Sequence, residues 1–466
     1  MERPQAGQSV RDRVLAPIEE ASLQRFHFRA WITAGMGFFS DAYDLFIIGV
    51  VTTLLVPLWH LTTLDLMVLN SSALFAAVLG ALVFGRLMDR VGRKAVYGIE
   101  AVLLTVGAVL SAFSPNMMFL IVMRFVVGLG VGGDYPMSGI IMSEFSSRRK
   151  RGFLVNSVFA MQGFGLLVGP AVAALLLAIG VPHELAWRLM LGLGAVPAAI
   201  VIYLRRRIPE TPHYRLGVED DVEGTANIVK DLTGSSAAAG ENAVKPLNRT
   251  ATILFTHRRY LLTLMGTMLS WMCLDMAFYG NSVSSGLVLK LLLPHGSMLT
   301  NILISGLIFL VAALPGYWVS AYTIDRLGRR FIQLLGFAVM ALSYLTIWLV
   351  PGLTLIPVAF LIVYGVSYFF IEFGPNSTTF VFPAEVFPVT VRGLGFGLSA
   401  SAGKLGAAVA AFLFPLLLVQ LHLPGTMGLL AGVSAIGFLV TAIALEEPKG
   451  KTLREASHEE LLEPSA

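Results

Sequence analysis

Two stretches decide the fold: Gly85-Arg86-Leu87-Met88-Asp89-Arg90-Val91-Gly92-Arg93-Lys94 and Ile324-Asp325-Arg326-Leu327-Gly328-Arg329-Arg330. They share the string D-R-x-G-R-[KR] and lie 236 positions apart, Asp325 against Asp89. A second pair, Glu144…Arg151-Gly152 and Glu385…Arg392-Gly393, is offset by 241, and each runs seven residues from Glu to Arg. One D-R-x-G-R alone is no more than a basic turn. Two different motifs recurring at nearly one offset mark an internally duplicated chain.

The sequence around these turns is apolar. Of 466 residues, 56% are hydrophobic and 13% charged, where soluble proteins carry about 25% charged residues. That composition excludes a cytosolic enzyme, a secreted disulfide scaffold and a disordered chain. A single cysteine, Cys273, excludes an intramolecular disulfide and a cysteine-based metal site. No cofactor, metal or nucleic-acid partner is expected. The glycine run from Gly128 to Gly133 follows no strand and sits in an apolar helix, so it reads as close helix packing rather than a phosphate loop.

Twelve stretches are long enough to cross a bilayer, which takes about 20 apolar residues. Spans 1 to 6 are expected near 29–56, 68–88, 96–113, 117–142, 152–180 and 186–204. Spans 7 to 12 are expected near 259–289, 299–321, 331–350, 355–383, 391–420 and 425–445. The expected class is an all-α integral membrane protein with two pseudo-symmetric six-helix bundles, 29–204 and 259–445. A polar segment 1–28, a linker 205–258 with short amphipathic helices, and a tail 446–466 complete the plan. Basic residues gather in alternate loops: Arg86 to Lys94, Arg148 to Arg151, Arg205 to Arg207, Arg326 to Arg330, Arg392 and Lys449 to Arg454. The opposite loops lack Lys and Arg, Lys290 being the main exception. The positive-inside rule then puts both termini in the cytoplasm.

Several ionisable residues fall near span centres, where even gentle insertion scales cost about 2.5–3.5 kcal/mol each. They are Asp41 and Asp44 in span 1, Asp134 in span 4, Asp275 in span 7 and Lys404 in span 11. Four acids and one base cannot neutralise one another pairwise, so some of the acids are expected to be protonated, which is the physical basis of proton coupling. Trp271, Asp275 and Tyr279 recur every four residues and form one helical stripe. Gln162 in span 5 and Asn376 in span 10 add amides. At the repeat offset of 241, Asn376 falls on Tyr135 and Lys404 falls beside Gln162. Arg124 is a weaker candidate on span 4.

Six plus six spans with these loops resemble the major facilitator superfamily. There the D-R-x-G-R loops build charge clusters that hold the halves together when the outside is open. On that resemblance Asp89, Arg90, Arg93, Glu144, Arg151, Asp325, Arg326, Arg329, Glu385 and Arg392 are the gate charges, and Asp89 can pair with basic groups or cap a helix. Pro209-Glu210-Thr211 is similar to the Pro-Glu-[ST] string that sugar porters carry after span 6, and Glu447-Pro448-Lys449-Gly450 to the string after span 12. The runs Asp41-Ala42-Tyr43-Asp44, Gly132-Gly133-Asp134-Tyr135-Pro136, Trp271…Asp275…Tyr279, Phe373-Gly374-Pro375-Asn376 and Ser401-Ala402-Gly403-Lys404 resemble the phosphate:proton symporter branch. Met137, Met272-Cys273 and a short central loop depart from its pattern.

The resemblance implies substrate contacts from Tyr135, Gln162, Trp271, Asp275, Tyr279 and Asn376, proton transfer by Asp41, Asp44 and Asp134, and a transport role for Lys404. A tetrahedral oxyanion wants directional donors of these types. Asp275 should also couple, because its ionised form repels an anion. The expected function is proton-coupled phosphate import by alternating access, by a monomer in the cell membrane, with no enzymatic step. The alternatives are symport of an organic acid or sugar, and a phosphate receptor that does not transport. A receptor would want a longer cytoplasmic loop or tail than the expected linker and tail supply.

Overall fold

The computed structural model describes residues 10–234, 247, 250–283, 285–293 and 295–462. Residues 235–246 and 248–249 of the expected linker lie outside the described residues. The described chain is helical, and eleven of its helices are long and apolar enough to cross a membrane. Spans 1 to 6 are Arg25–Trp59, Thr63–Val91, Arg93–Ala112, Met117–Phe145, Arg151–Ala178 and His183–Arg205. Spans 7 to 10 are Arg258–Tyr279, Leu299–Leu327, Arg329–Leu349 and Pro357–Val386. The remaining helix, Arg392–Ala444, breaks at His422 (φ 55°, ψ 178°) into spans 11 and 12. The architecture is the twelve-span, two-bundle one that the sequence leads one to expect.

The repeated turns explain their own glycines. Gly92 and Gly328 end spans 2 and 8 with φ of +100° and +93°, a region L side chains rarely adopt. A Cβ at Gly92 would run into the Glu210 carboxylate, and one at Gly328 into Glu447. Those carboxylates accept backbone N–H groups just beyond: Lys94 N at 3.0 Å from Glu210, and Arg329 N and Arg330 N at 3.1 and 2.9 Å from Glu447. The strings after spans 6 and 12 thus satisfy the exposed helix starts of spans 3 and 9.

The glycine run of span 4 does pack helices closely. Side chains at Gly128 and Gly132 would strike the carbonyls of Ala73 and Ala77 on span 2. Two spans carry π turns, Phe309–Ala313 in span 8 and Glu372–Asn376 in span 10, the latter around Gly374 and Pro375. Outside the spans, Val10–Glu19 forms a helix, as do Pro212–Gly217 and Val222–Thr233 of the linker.

Candidate substrate, proton and gate sites

The stripe on span 7 meets span 11 at the centre of the molecule. Lys404 Nζ lies 3.0 Å from Asp275 Oδ2 and donates to the Tyr279 hydroxyl at 3.0 Å. It also sits 4.3 and 4.4 Å from the ring centroids of Tyr135 and Tyr279, so two aromatic faces help to hold the charge. Lys404 and Asp275 are both fully buried. The network continues into the other half. The Tyr135 and Tyr279 hydroxyls are 3.4 Å apart, and Gln162 Nε2 donates to Tyr135 at 3.2 Å. Tyr317 on span 8 donates to Gln162 Oε1 at 3.3 Å, and Asn376 Nδ2 donates to Tyr317 at 2.8 Å. Asn376 also bonds Glu372. The Trp271 ring packs 5.8 Å from Tyr135 and lies against Gly403, where a Cβ would overlap it. The structure therefore joins Tyr135, Gln162, Trp271, Asp275, Tyr279, Asn376 and Lys404 in one connected set of side chains.

The other acids are elsewhere. Asp44 pairs with Arg124 at 2.6 Å. Asp134 takes Arg205 Nη2 at 2.7 Å on both oxygens and Ser138 at 2.5 Å. Glu100, on span 3, bonds the other terminal nitrogen of Arg205. Gly37 makes room for this cluster against span 1. Asp41 lines the same small cavity, and its Oδ2 has no hydrogen-bond partner among the described residues.

This corrects the sequence reading at two points. Arg205 is not part of a solvent-facing basic run: it is buried, with Arg206 and Arg207 outside. The membrane interior also holds Glu100 and Glu372 beyond the acids expected, and Arg205 beyond Lys404 and the weaker candidate Arg124. Tyr317 was likewise missed. Glu372 had a signal, since it precedes Asn376 by four and so shares its helix face.

At the end where the repeated turns lie, the two halves lock each other. Asp89 accepts Gly393 N–H at 2.9 Å and Leu394 N–H at 2.8 Å, capping span 11 from span 2. Asp325 does the same for span 5, accepting Gly152 N–H at 3.0 Å and Phe153 N–H at 2.9 Å. Glu144 receives Arg392 from the other half at 2.7 Å and Arg93 at 3.2 Å. Glu385 receives Arg329 at 2.7 Å. Gly85 and Gly393 meet so closely that a Cβ on either would overlap the other's carbonyl. Of the expected gate charges, Arg90 and Arg326 are exposed and make no ion pair among the described residues.

The repeat is broken at Arg151. Instead of reaching Glu385, it pairs at 2.5 Å with Glu19 at the end of the first helix. Burial alone would raise the Glu19 carboxyl, but Arg151 and His213 outweigh it and bring it down to about 2. Arg392 reaches Glu459 of the tail at 3.3 Å, and Glu459 accepts Val389 N–H at 2.7 Å. Both terminal segments thus close over the same end. At the other end lies a cavity of about 450 Å³, lined by Phe46, Thr53, Ser282, Lys290, Asn301 and Ser305 among others; the Phe46 ring separates it from the network, stacking on Tyr279 at 5.4 Å.

The family model described as "Sugar (and other) transporter" matches residues 30–459. The chain belongs to that family, within the major facilitator superfamily. Inorganic phosphate transporter 1-6 of Oryza sativa subsp. japonica is 36% identical, over 95% of this chain and 95% of its own. Inorganic phosphate transporter 1-1 of the same subspecies is 34% identical over 96% of each. Among solved structures, a major facilitator proton:xylose symporter bound to 6-bromo-6-deoxy-D-glucose matches with a TM-score of 0.78 over 94% of this chain and 99% of that one. At 20% identity that likeness carries the fold alone. The protein is a multi-pass membrane transporter by family.

Proposed function

We propose that the protein is a proton-coupled importer of inorganic phosphate that works by alternating access in the cell membrane. It makes no covalent change. It acts as a monomer with cytoplasmic termini, its bundles being 29–204 and 259–445. The observation that carries this reading is Lys404, a buried ammonium held by Asp275 and Tyr279 where both halves meet. Tyr135, Gln162, Trp271 and Asn376 surround it with neutral donors. A tetrahedral anion fits that set, because one cation and several directional donors can share its oxygens. The phosphate-transporter names of the relatives that match nearly the whole chain support the same substrate.

Asp275 supplies the coupling. While ionised it occupies Lys404. Protonation frees the ammonium for the anion, and loss of the proton on the cytoplasmic side restores the ion pair and expels the substrate. The charge tally of the interior agrees. Among the described residues, the buried acids Asp41, Asp44, Glu100, Asp134, Asp275 and Glu372 are accompanied inside the spans by three buried cations, Arg124, Arg205 and Lys404, so an added anion needs protons to accompany it.

The test is labelled phosphate uptake into proteoliposomes. Uptake should rise with an inward proton gradient, fall with a protonophore, and be inhibited by arsenate but not by glucose or xylose. Inhibition by a sugar or benzoate, with none by arsenate, would overturn the assignment in favour of a sugar or organic-acid symporter. Binding without uptake would favour the receptor.

A further inference from the structure

Among the buried acids of the spans, Glu372 is the one on the central network that no cation serves. Its side chain is fully buried on span 10. One oxygen bonds Asn376 Nδ2, and the other, Oε1, has no hydrogen-bond partner among the described residues. No Lys, Arg or His lies within ion-pair distance of it among those residues. The titratable groups facing it are Tyr317 from span 8, Tyr368 one turn earlier on its own helix, and Asp275 from span 7 with its partner Lys404. Span 8 also presents Gly316, with span 9 adding Gly336 against Gly374 and the neutral Gln333 bonded to Thr378. A carboxylate in such surroundings would cost several kcal/mol of lost solvation with nothing to offset it.

The backbone is shaped to hold it there. Glu372 opens the π turn Glu372–Asn376, whose Gly374 leaves the helical region (φ −94°, ψ −115°), and its carbonyl accepts the Ser377 hydroxyl at 2.6 Å. π turns inside helices are frequent at functional sites. The turn also brings Asn376, a substrate-donor candidate, onto the Glu372 carboxyl. The placement echoes the repeat: the first and fourth spans of one half carry Asp41 and Asp134, and those of the other half carry Asp275 and Glu372.

We propose that Glu372 is a second proton-carrying carboxyl of the transport cycle, beside and independent of Asp275. It rests on the symport reading above. In the closed centre it holds a proton. When the charged end opens and water reaches span 10, the carboxyl O–H bond breaks, water accepts the proton, and the carboxylate is solvated. On return the carboxylate takes a proton from the opposite side. Each cycle then moves one proton more than Asp275 alone would carry.

The number of protons per anion fixes the accumulation reached at equilibrium, so the test reads an endpoint and not a rate. Full-length wild type, Glu372→Gln and Glu372→Asp are reconstituted with labelled inorganic phosphate under an imposed pH gradient, the membrane potential held at zero. One lost proton lowers equilibrium accumulation about tenfold for each pH unit of gradient. Glu372→Gln should show that drop, and a slowed variant reaches the same endpoint later. Glu372→Asp should keep the wild-type endpoint but shift the pH at which uptake is half-maximal. Wild-type accumulation by Glu372→Gln would overturn the inference while leaving phosphate symport intact. Should Glu372→Gln fail to fold, an unshifted pH profile in Glu372→Asp would overturn it instead. Absence of gradient-driven accumulation in the wild type would overturn the symport reading and this inference together.

Discussion

Asp275→Asn separates an electrostatic competition for Lys404 from simple packing. The pair is 3.0 Å apart and buried on both sides. At an effective dielectric of about 20 the attraction is about 5 kcal/mol. The Asn carbonyl still accepts a hydrogen bond from the ammonium, which retains about 2 kcal/mol. The anion therefore faces a competitor weaker by about 3 kcal/mol, or roughly a hundredfold in affinity. That gain should be larger at pH 8 than at pH 5, because protonation at lower pH removes the competitor from the wild type too. The variant should bind phosphate almost independently of pH, and phosphate should raise its melting temperature more than it does for wild type. It should also fail to accumulate phosphate against a gradient, because nothing at this position re-forms the ion pair that expels the anion. Asp275→Ala, which removes the acceptor as well, should be the less stable of the two. Calorimetry across that pH range, alongside accumulation in proteoliposomes, gives both readings. Wild-type pH dependence of binding in Asp275→Asn, or wild-type accumulation, would refute the competition and move coupling to Asp41, Asp44 or Asp134.

Two further outcomes follow from the charged end. Glu19→Gln should destabilise the folded protein near neutral pH by about 3 kcal/mol, because a carboxyl held at about 2 stabilises the fold fully above its unfolded value near 4.3. The gap to wild type should close as pH falls from about 4.5 toward 2, which thermal unfolding against pH would record; a gap that persists at the acid end would refute the pairing. Asp89→Ala and Asp325→Ala each remove the cap of a helix in the opposite half, worth about 1–2 kcal/mol. With Cys273→Ser as background and a cysteine at Ser143, whose hydroxyl bridges to Ala384 across the halves at 3.0 Å, thiol labelling should quicken about five- to thirtyfold, and an unchanged rate would argue against these caps holding the end shut.

The spans and the duplication were legible because they rest on properties that do not depend on a partner: run length, loop charge and spacing. The central donors were legible for a related reason. Trp271, Asp275 and Tyr279 share one helix face by spacing alone, and the repeat offset pointed Asn376 and Lys404 at their counterparts. What stayed hidden was which charges neutralise which. Arg205 ends span 6 beside two exposed arginines, and nothing in the string Arg205-Arg206-Arg207 tells which of the three faces inward. It turns in because Gly37 and Gly130 leave space around Asp134 and Glu100. The swap of Arg151 from Glu385 to Glu19 was hidden too. The repeat implies a symmetric cluster, whereas Glu19 ends the ten-residue helix ahead of span 1, and ahead of span 7 the described chain carries the four-residue helix Ile253–Thr256 instead. Tyr317 carried no charge or motif, and its importance comes from lying between Gln162 and Asn376.

One helix ties the central network to the charged end. Span 11 begins at Arg392-Gly393, capped by Asp89, and carries Lys404 twelve residues on, about 18 Å along the axis. Between them Gly397 lies against Ala81, and the Ser401 hydroxyl bonds the Val78 carbonyl of span 2 at 2.8 Å. A helix packed this closely moves as a unit, so a change at Lys404 and a change at the Asp89 cap bias the same displacement. Linkage makes that quantitative: whatever factor phosphate applies to opening at the charged end, opening must apply to phosphate affinity. If saturating phosphate changes the Ser143→Cys labelling rate by some factor, full opening of the charged end should change the phosphate dissociation constant by that same factor, and Asp89→Ala should change it by the share its own gain in opening supplies. Both are measurable on one preparation, by labelling and by calorimetry. A gate variant that labels faster while its phosphate affinity stays at the wild-type value, in a protein whose labelling does respond to phosphate, would mean that span 11 does not transmit between the two sites and that coupling runs through span 5 and its Asp325 cap.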